Sequence, residues 1–172
     1  MTKRQPGQLF LGFVCIAIAL MWVYAFIFAP RESANKINDS SWGQRANIVC
    51  ESARSKRTAL QDLRKINITD PQAMLIRADI AEKATATLTE MLDEIEKSPP
   101  TDAKGRALVP LWIADYRVYI SDRLKYVSEL RSGETKRLNE TVIEGVPISE
   151  KISKFARENR MTSCQAPYDL VS

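Results

Sequence analysis

Histidine is absent from the chain. That absence removes Ser-His-Asp and Cys-His nucleophile activation, His-ligated zinc and imidazole pH sensing. Glycine is scarce, six residues in 172, and no Gly-rich phosphate loop, nucleophile elbow or Cys-x-x-Cys occurs. A strong excess of one charge is missing as well. The net charge is +4, and half of it belongs to Lys3 and Arg4, which precede a chargeless stretch. The remainder leaves no basic footprint, so no nucleic-acid partner is expected. Neither an enzymatic activity nor a cofactor is expected. What is present, 45% hydrophobic and 27% charged residues, is the composition of one folded domain.

The longest apolar run is Leu9 to Ala29, without a charged side chain. As a helix it would be about 31 Å long, enough to cross the hydrocarbon core of a bilayer. A cleaved signal peptide is the competing reading. Against it stand the length of the run, its bulky second half (Trp22, Tyr24, Phe26, Phe28) and Pro30 after Ala29, where a small-x-small cleavage site should lie. The expectation is an uncleaved single-pass anchor held in the lipid bilayer through Leu9–Ala29. Lys3 and Arg4 favour a cytoplasmic N-terminus by the positive-inside rule, opposed by Arg31 and Lys36. The organisation read from this is a cytoplasmic tail (1–8), too short for a cytoplasmic output, a transmembrane helix (9–29), a linker (30–39) and an extracytoplasmic domain (40–172).

The domain reads as all-α, an antiparallel bundle of three long helices and one short one. Asn38 to Ser41 supply N-caps for the first helix, whose apolar positions are Trp42, Ala46, Val49, Ala53, Leu60, Leu63 and Ile66. Its opposite face carries Arg45, Glu51, Arg54, Lys56, Arg57, Asp62 and Arg64. Thr69 or Asp70 with Pro71 starts the second helix, with a stripe of Ile76, Ile80, Ala84, Leu88, Met91, Leu92 and Ile95, closed before Pro99-Pro100. Residues 101–106 read as a loop. The third helix starts near Leu108 or Pro110 and stops at Ser132-Gly133, with Gly133 as a left-handed cap. Residues 138–148 are either a small β-hairpin about Glu144-Gly145 or plain extended chain. Ser149 then caps a short helix carrying Ile152, Phe155 and Ala156.

Two of the three cysteines, Cys50 and Cys164, lie in the exported part. With helices running up, down and up, the short helix brings Cys164 back toward the level of Cys50. The expectation is a disulfide, contributing about 4–5 kcal/mol in the chain-entropy model; two free buried thiols are the alternative. The most unusual stripe is Trp112, Asp115, Tyr119, Asp122 and Tyr126, spaced 3, 4, 3 and 4 and followed closely by Arg123. Aspartates at seam positions read in two ways. They line a polar pocket for a cation or a basic ligand group, using Asp115, Asp122, Tyr119 and Arg123, or they accept hydrogen bonds from neighbouring side chains. No metal-ligand set is recognisable. The acidic group Glu90, Asp93, Glu94 and Glu96 and the basic group Arg54, Lys56 and Arg57 read as solvated faces. Asn38-Asp-Ser40, Asn67-Ile-Thr69 and Asn139-Glu-Thr141 match the glycosylation acceptor pattern, which applies only in a eukaryotic source.

The string Trp112-x-x-Asp115-x-x-x-Tyr119-x-x-Asp122-Arg123-x-x-Tyr126-x-x-x-Leu130-x-x-Gly133 resembles a pattern in uncharacterised single-pass membrane proteins of actinobacteria. So does the run Ile152-x-x-Phe155-Ala156-x-x-Asn159-x-Met161-x-x-Cys164-x-x-Pro167. The resemblance covers roughly residues 40–170 and the anchor. It implies an envelope-facing helical domain with no assigned activity and no catalytic residue. The functional expectation is an accessory or scaffold module that binds another membrane or envelope protein; the alternative is a small-ligand or cation-binding bundle.

Overall fold

The apolar run forms α1, Pro6–Val23, and continues through Tyr24–Phe28 as one wider π-helical turn. This is seen in the computed structural model, which describes residues 6–28, 33–60, 71–134 and 137–170. Trp22 stacks on Phe26 and Tyr24 on Phe28, each four residues apart. The 19 residues Phe10–Phe28 are long and apolar enough to cross a membrane, and none of them is buried within the protein. The chain divides into two units, Met1–Ala34 and Asn35–Ser172. The second unit therefore starts before residue 40, because Ile37 is already buried in its core and donates its amide to Asn159 Oδ1 at 2.8 Å.

In the second unit, α2 spans Ser40–Leu60. Of the available caps Asp39 is used: its carboxylate accepts from the Trp42 amide at 2.9 Å and the Ser41 hydroxyl at 2.7 Å. The buried face is Trp42, Ala46, Cys50, Ala53 and Arg57. Placing Arg57 on the solvated face is corrected by this register: it continues the 4-3-4 stepping inward. Leu63, Ile66, Thr69 and Asp70 lie outside the described residues.

Helix α3, Pro71–Glu96, buries Ala84, Leu88, Met91, Leu92 and Ile95 as expected. Its first half is turned: Met74, Ala78 and Ala81 are buried while Ile76 is exposed, because the former three pack on Tyr126, Val127 and Leu130. Helix α4 spans Ala103–Arg131, several residues longer than expected at its start. The Asp102 carboxylate caps it by accepting from Gly105 at 2.9 Å, so Pro110 sits inside the helix at an exposed position rather than opening it. At the other end Gly133 takes φ +85°, and the Glu134 and Gly133 amides return to the carbonyls of Glu129 and Leu130. That is the six-to-one and five-to-two pairing of a glycine-terminated helix.

A two-stranded antiparallel hairpin follows, β1 Val142–Ile143 with β2 Val146–Pro147. Glu144 and Gly145, both at positive φ, form its turn. Helix α5 spans Ile148–Glu158 and buries Ile148, Ile152, Phe155 and Ala156. Ser149 is not its cap. It is a buried residue of the first turn, and its amide is taken by Glu140 Oε2 at 3.2 Å. A short 3-10 turn, Thr162–Cys164, then carries Cys164 onto α2, where it is bonded to Cys50 with a Cα separation of 5.1 Å.

The long helices run antiparallel. Along α2 and α3, Trp42 meets Ser98 and Lys56 meets Glu90; along α3 and α4, Arg117 meets Glu96 and Arg131 meets Glu82 and Asp79. Asp39 and Asp102 interlock at one end: Asp39 accepts from the Thr101 amide and hydroxyl, and Asp102 from the amides of Asn38 and Asp39. The Asp39 carboxyl is held well below the usual range by hydrogen bonds from Thr101, Ser41 and Trp42. For Asp102, burial pushes upward, and the three backbone amides of Gly105, Asn38 and Asp39 outweigh it.

Candidate functional site

One face of α4 holds the C-terminal segment at successive points. Trp112 Nε1 donates to the Ile152 carbonyl (3.3 Å), Tyr116 Oη to that of Cys164 (2.9 Å) and Tyr119 Oη to that of Pro167 (2.6 Å). Arg123, fully buried, completes the series with two bonds to Asp169, at 2.6 and 3.2 Å, one to Thr85 Oγ1 at 3.0 Å and a place over the Tyr119 ring. Trp112 also packs on Phe155 and Tyr116. Burial pushes both phenols up, that of Tyr119 to about 12. For Arg123, burial pulls downward, and the Asp169 carboxylate more than restores it.

The inward stripe is thus Trp112, Tyr116, Tyr119, Arg123 and Tyr126. The polar pocket expected from Trp112, Asp115, Tyr119, Asp122, Arg123 and Tyr126 does not form as one site. Asp115 and Asp122 stand one position off the seam, half-buried. Asp115 pairs with Lys151 at 3.0 Å, and Asp122 accepts from the Thr141 amide at 2.7 Å and hydroxyl at 3.0 Å. Tyr126 belongs to the separate cluster with Met74 and Leu170. Among the described residues no group of three or more Asp, Glu or Cys is placed to hold a metal ion.

A cavity of about 570 Å³ lies elsewhere, between the second half of α2 and residues 162–169. Arg54, Arg57 and Thr58 line one side, and Gln165, Tyr168 and Asp169 the other. The rim is pinned: the Ser163 amide donates to Asn47 Oδ1 at 2.9 Å, and its hydroxyl to Glu51. Arg57 is 6% exposed. Among the described residues its guanidinium bonds to Thr87 Oγ1 at 3.4 Å and to no carboxylate. Burial pulls it below its ordinary range, with Tyr116 and Asp169 partly compensating and Arg123 adding to the fall.

None of the six residues of the expected polar pocket lines this cavity, whereas Arg54 and Arg57, expected on a solvated face, do. The missed residues had one legible signal. Arg57 extends Ala46, Cys50 and Ala53 as Arg123 extends Trp112, Tyr116 and Tyr119, each by the next step of a 3.6-residue period. Asp169, in the irregular tail, had none.

Compared with protein-family models, curated proteins and solved structures, the chain matches none. The actinobacterial resemblance therefore rests on residue spacing alone.

Proposed function

We propose that the protein is a membrane-anchored extracytoplasmic interaction module, an accessory or scaffold component that presents its helical domain to another membrane or envelope protein. The observation that carries this reading is α1 with its π-helical turn. Phe10, Phe13, Leu20, Trp22, Phe26 and Phe28 are each more than half exposed, and none of the apolar span Phe10–Phe28 is buried. A bilayer is the natural solvent for such a helix. The same helix would serve as a signal sequence, so sequencing the N-terminus of the mature protein separates the two; a start beyond Pro30 would remove the anchor from the proposal.

The Cys50–Cys164 bond suits an oxidising compartment, which agrees with an exported domain and an N-terminus on the cytoplasmic side. On the domain itself, Leu111 and Val118 lie seven residues apart on one exposed face of α4, an apolar strip of the kind that contacts partners. Anchoring confines the domain to the membrane plane and raises its effective concentration toward partners there.

Crosslinking in native membranes followed by mild detergent extraction tests the proposal. A stoichiometric membrane partner supports it, and recovery of the chain alone sinks it. Topology is read with a membrane-impermeant thiol reagent on intact cells, which should label Cys50 and Cys164 after reduction and not before. The alternative, a cation-binding bundle, loses support from the engaged carboxylates. An Asp115→Asn/Asp122→Asn variant should lose about 1–2 kcal/mol of stability, since the Asp115–Lys151 pair and the two Asp122–Thr141 hydrogen bonds lie near the surface and are each worth about 1 kcal/mol or less. Calcium or a polyamine stabilising the wild type but not this variant would restore the alternative.

A further inference from the structure

We infer that the cavity beside Arg57 is an oxyanion site. It takes a ligand presenting a phosphate or carboxylate to the Arg57 guanidinium, with Arg54 contributing the second positive charge. A guanidinium offers five N–H donors in a planar fork. At Arg57, nine-tenths buried, those donors meet one described acceptor, Thr87 Oγ1 at 3.4 Å, and that hydroxyl is already committed as donor to the Ala84 carbonyl at 2.7 Å. The carboxylate on the opposite wall, Asp169, has both oxygens on Arg123, at 2.6 and 3.2 Å. Arg123 therefore takes that carboxylate, and Arg57 has none of its own among the described residues. A buried charge lacking a counter-ion is strongly disfavoured, and an anion beside it removes the penalty.

The space for that anion is present. Arg57 and Arg54 both line the cavity of about 570 Å³, a volume in the range of small-molecule sites. The guanidinium fork fits phosphate and carboxylate alike, two parallel N–H···O bonds to each. Among the described lining residues the one acid, Asp169, is neutralised by Arg123, so the charge of this cavity favours an anion. Tyr168, 64% exposed, adds an aromatic wall against which the body of a ligand can rest.

The test uses the full chain purified in a nonionic detergent. Melting temperature is followed while inorganic phosphate or citrate is titrated at ionic strength held constant with chloride; in a separate arm, phosphatidylglycerol is added to the micelles. The expected result is a saturable rise in melting temperature. A rise with the dissolved anions identifies a soluble source, and a rise confined to phosphatidylglycerol identifies a lipid headgroup. In either arm Arg57→Met should weaken the apparent affinity by about tenfold or more, and Arg54→Ala, at an exposed position, by about threefold. No saturable response in any arm overturns the inference, as does a response unchanged in Arg57→Met. Should that variant fail to fold, Arg57→Lys keeps the charge but loses the fork, and an unchanged response in both Arg57→Lys and Arg54→Ala overturns the inference equally. None of these outcomes depends on a protein partner, so this site and the docking role fail separately.

Discussion

Arg57 and Arg123 occupy equivalent places on two different helices, and the chain treats them in opposite ways. Each follows three inward residues on a 4-3-4 step, and each ends up almost wholly removed from solvent. Arg123 is met by Asp169, Thr85 and Tyr119. Arg57 is met by Thr87 alone among the described residues, and faces a cavity. Burial is therefore not what distinguishes a structural arginine from an available one; the inventory of acceptors is. Arg123 is a clasp that draws the C-terminal segment onto α4. Arg57 leaves most of its donors without an acceptor among the described residues.

This contrast can be broken by substitution. The largest effect is expected at Arg123. Arg123→Met removes one partner of a buried pair and strands Asp169, and should cost about 3 kcal/mol or more in denaturant unfolding. A loss below 1 kcal/mol would show that the clasp does not hold the tail. Next comes Cys50→Ala/Cys164→Ala, expected to cost about 2–5 kcal/mol. The disulfide and the clasp fasten the same segment, through Cys164 and Asp169, so combining this pair with Arg123→Met should cost less than the sum of the separate losses. Strict additivity would separate the two fastenings.

A smaller effect is expected in acid, at the Asp39–Asp102 corner. Both carboxyls are lowered in the folded protein, so their contribution is present above the ordinary carboxylate range and is lost as pH falls through the folded values. Melting temperature should therefore drop below about pH 4, with a shallower slope in Asp39→Asn; an identical slope would place the acid sensitivity elsewhere. The smallest change is expected for Arg57→Met in the absence of anions. Replacing a buried charge that bonds to no carboxylate among the described residues by an apolar side chain of similar length should leave stability within about 1 kcal/mol, or raise it. A loss as large as that of Arg123→Met would mean that the two arginines are alike.

Much of the architecture was legible because periodicity reports burial directly. The Trp42, Ala46 and Ala53 part of the α2 stripe, the Ala84–Ile95 stripe of α3, the Gly133 terminus, the turn at Glu144-Gly145 and the Cys50–Cys164 pairing follow from local chemistry or simple helix lengths. The start of α4 did not, because Pro110 is a strong local signal for a helix start and the actual cap, Asp102, acts together with Asp39 from another element. Ser149 misled for the same reason: its amide is satisfied by Glu140, beyond the hairpin. The polar pocket was misread by one step of the helix. Taking Asp115 and Asp122 as the seam leaves Tyr116 out and sets Arg123 beside the stripe as a further pocket residue, whereas the aromatic residues and Arg123 form the inward stripe and the aspartates sit at the flank.

By itself the sequence determined the apolar N-terminal helix, the helical class and the absence of imidazole chemistry, since these depend on composition and on spacing within one element. Tertiary structure alone decided what the buried charged residues face. An arginine at a seam position looks the same in sequence whether or not an acid from the tail reaches it. Only the path of residues 162–170 placed Asp169 on Arg123 and left Arg57 beside open space.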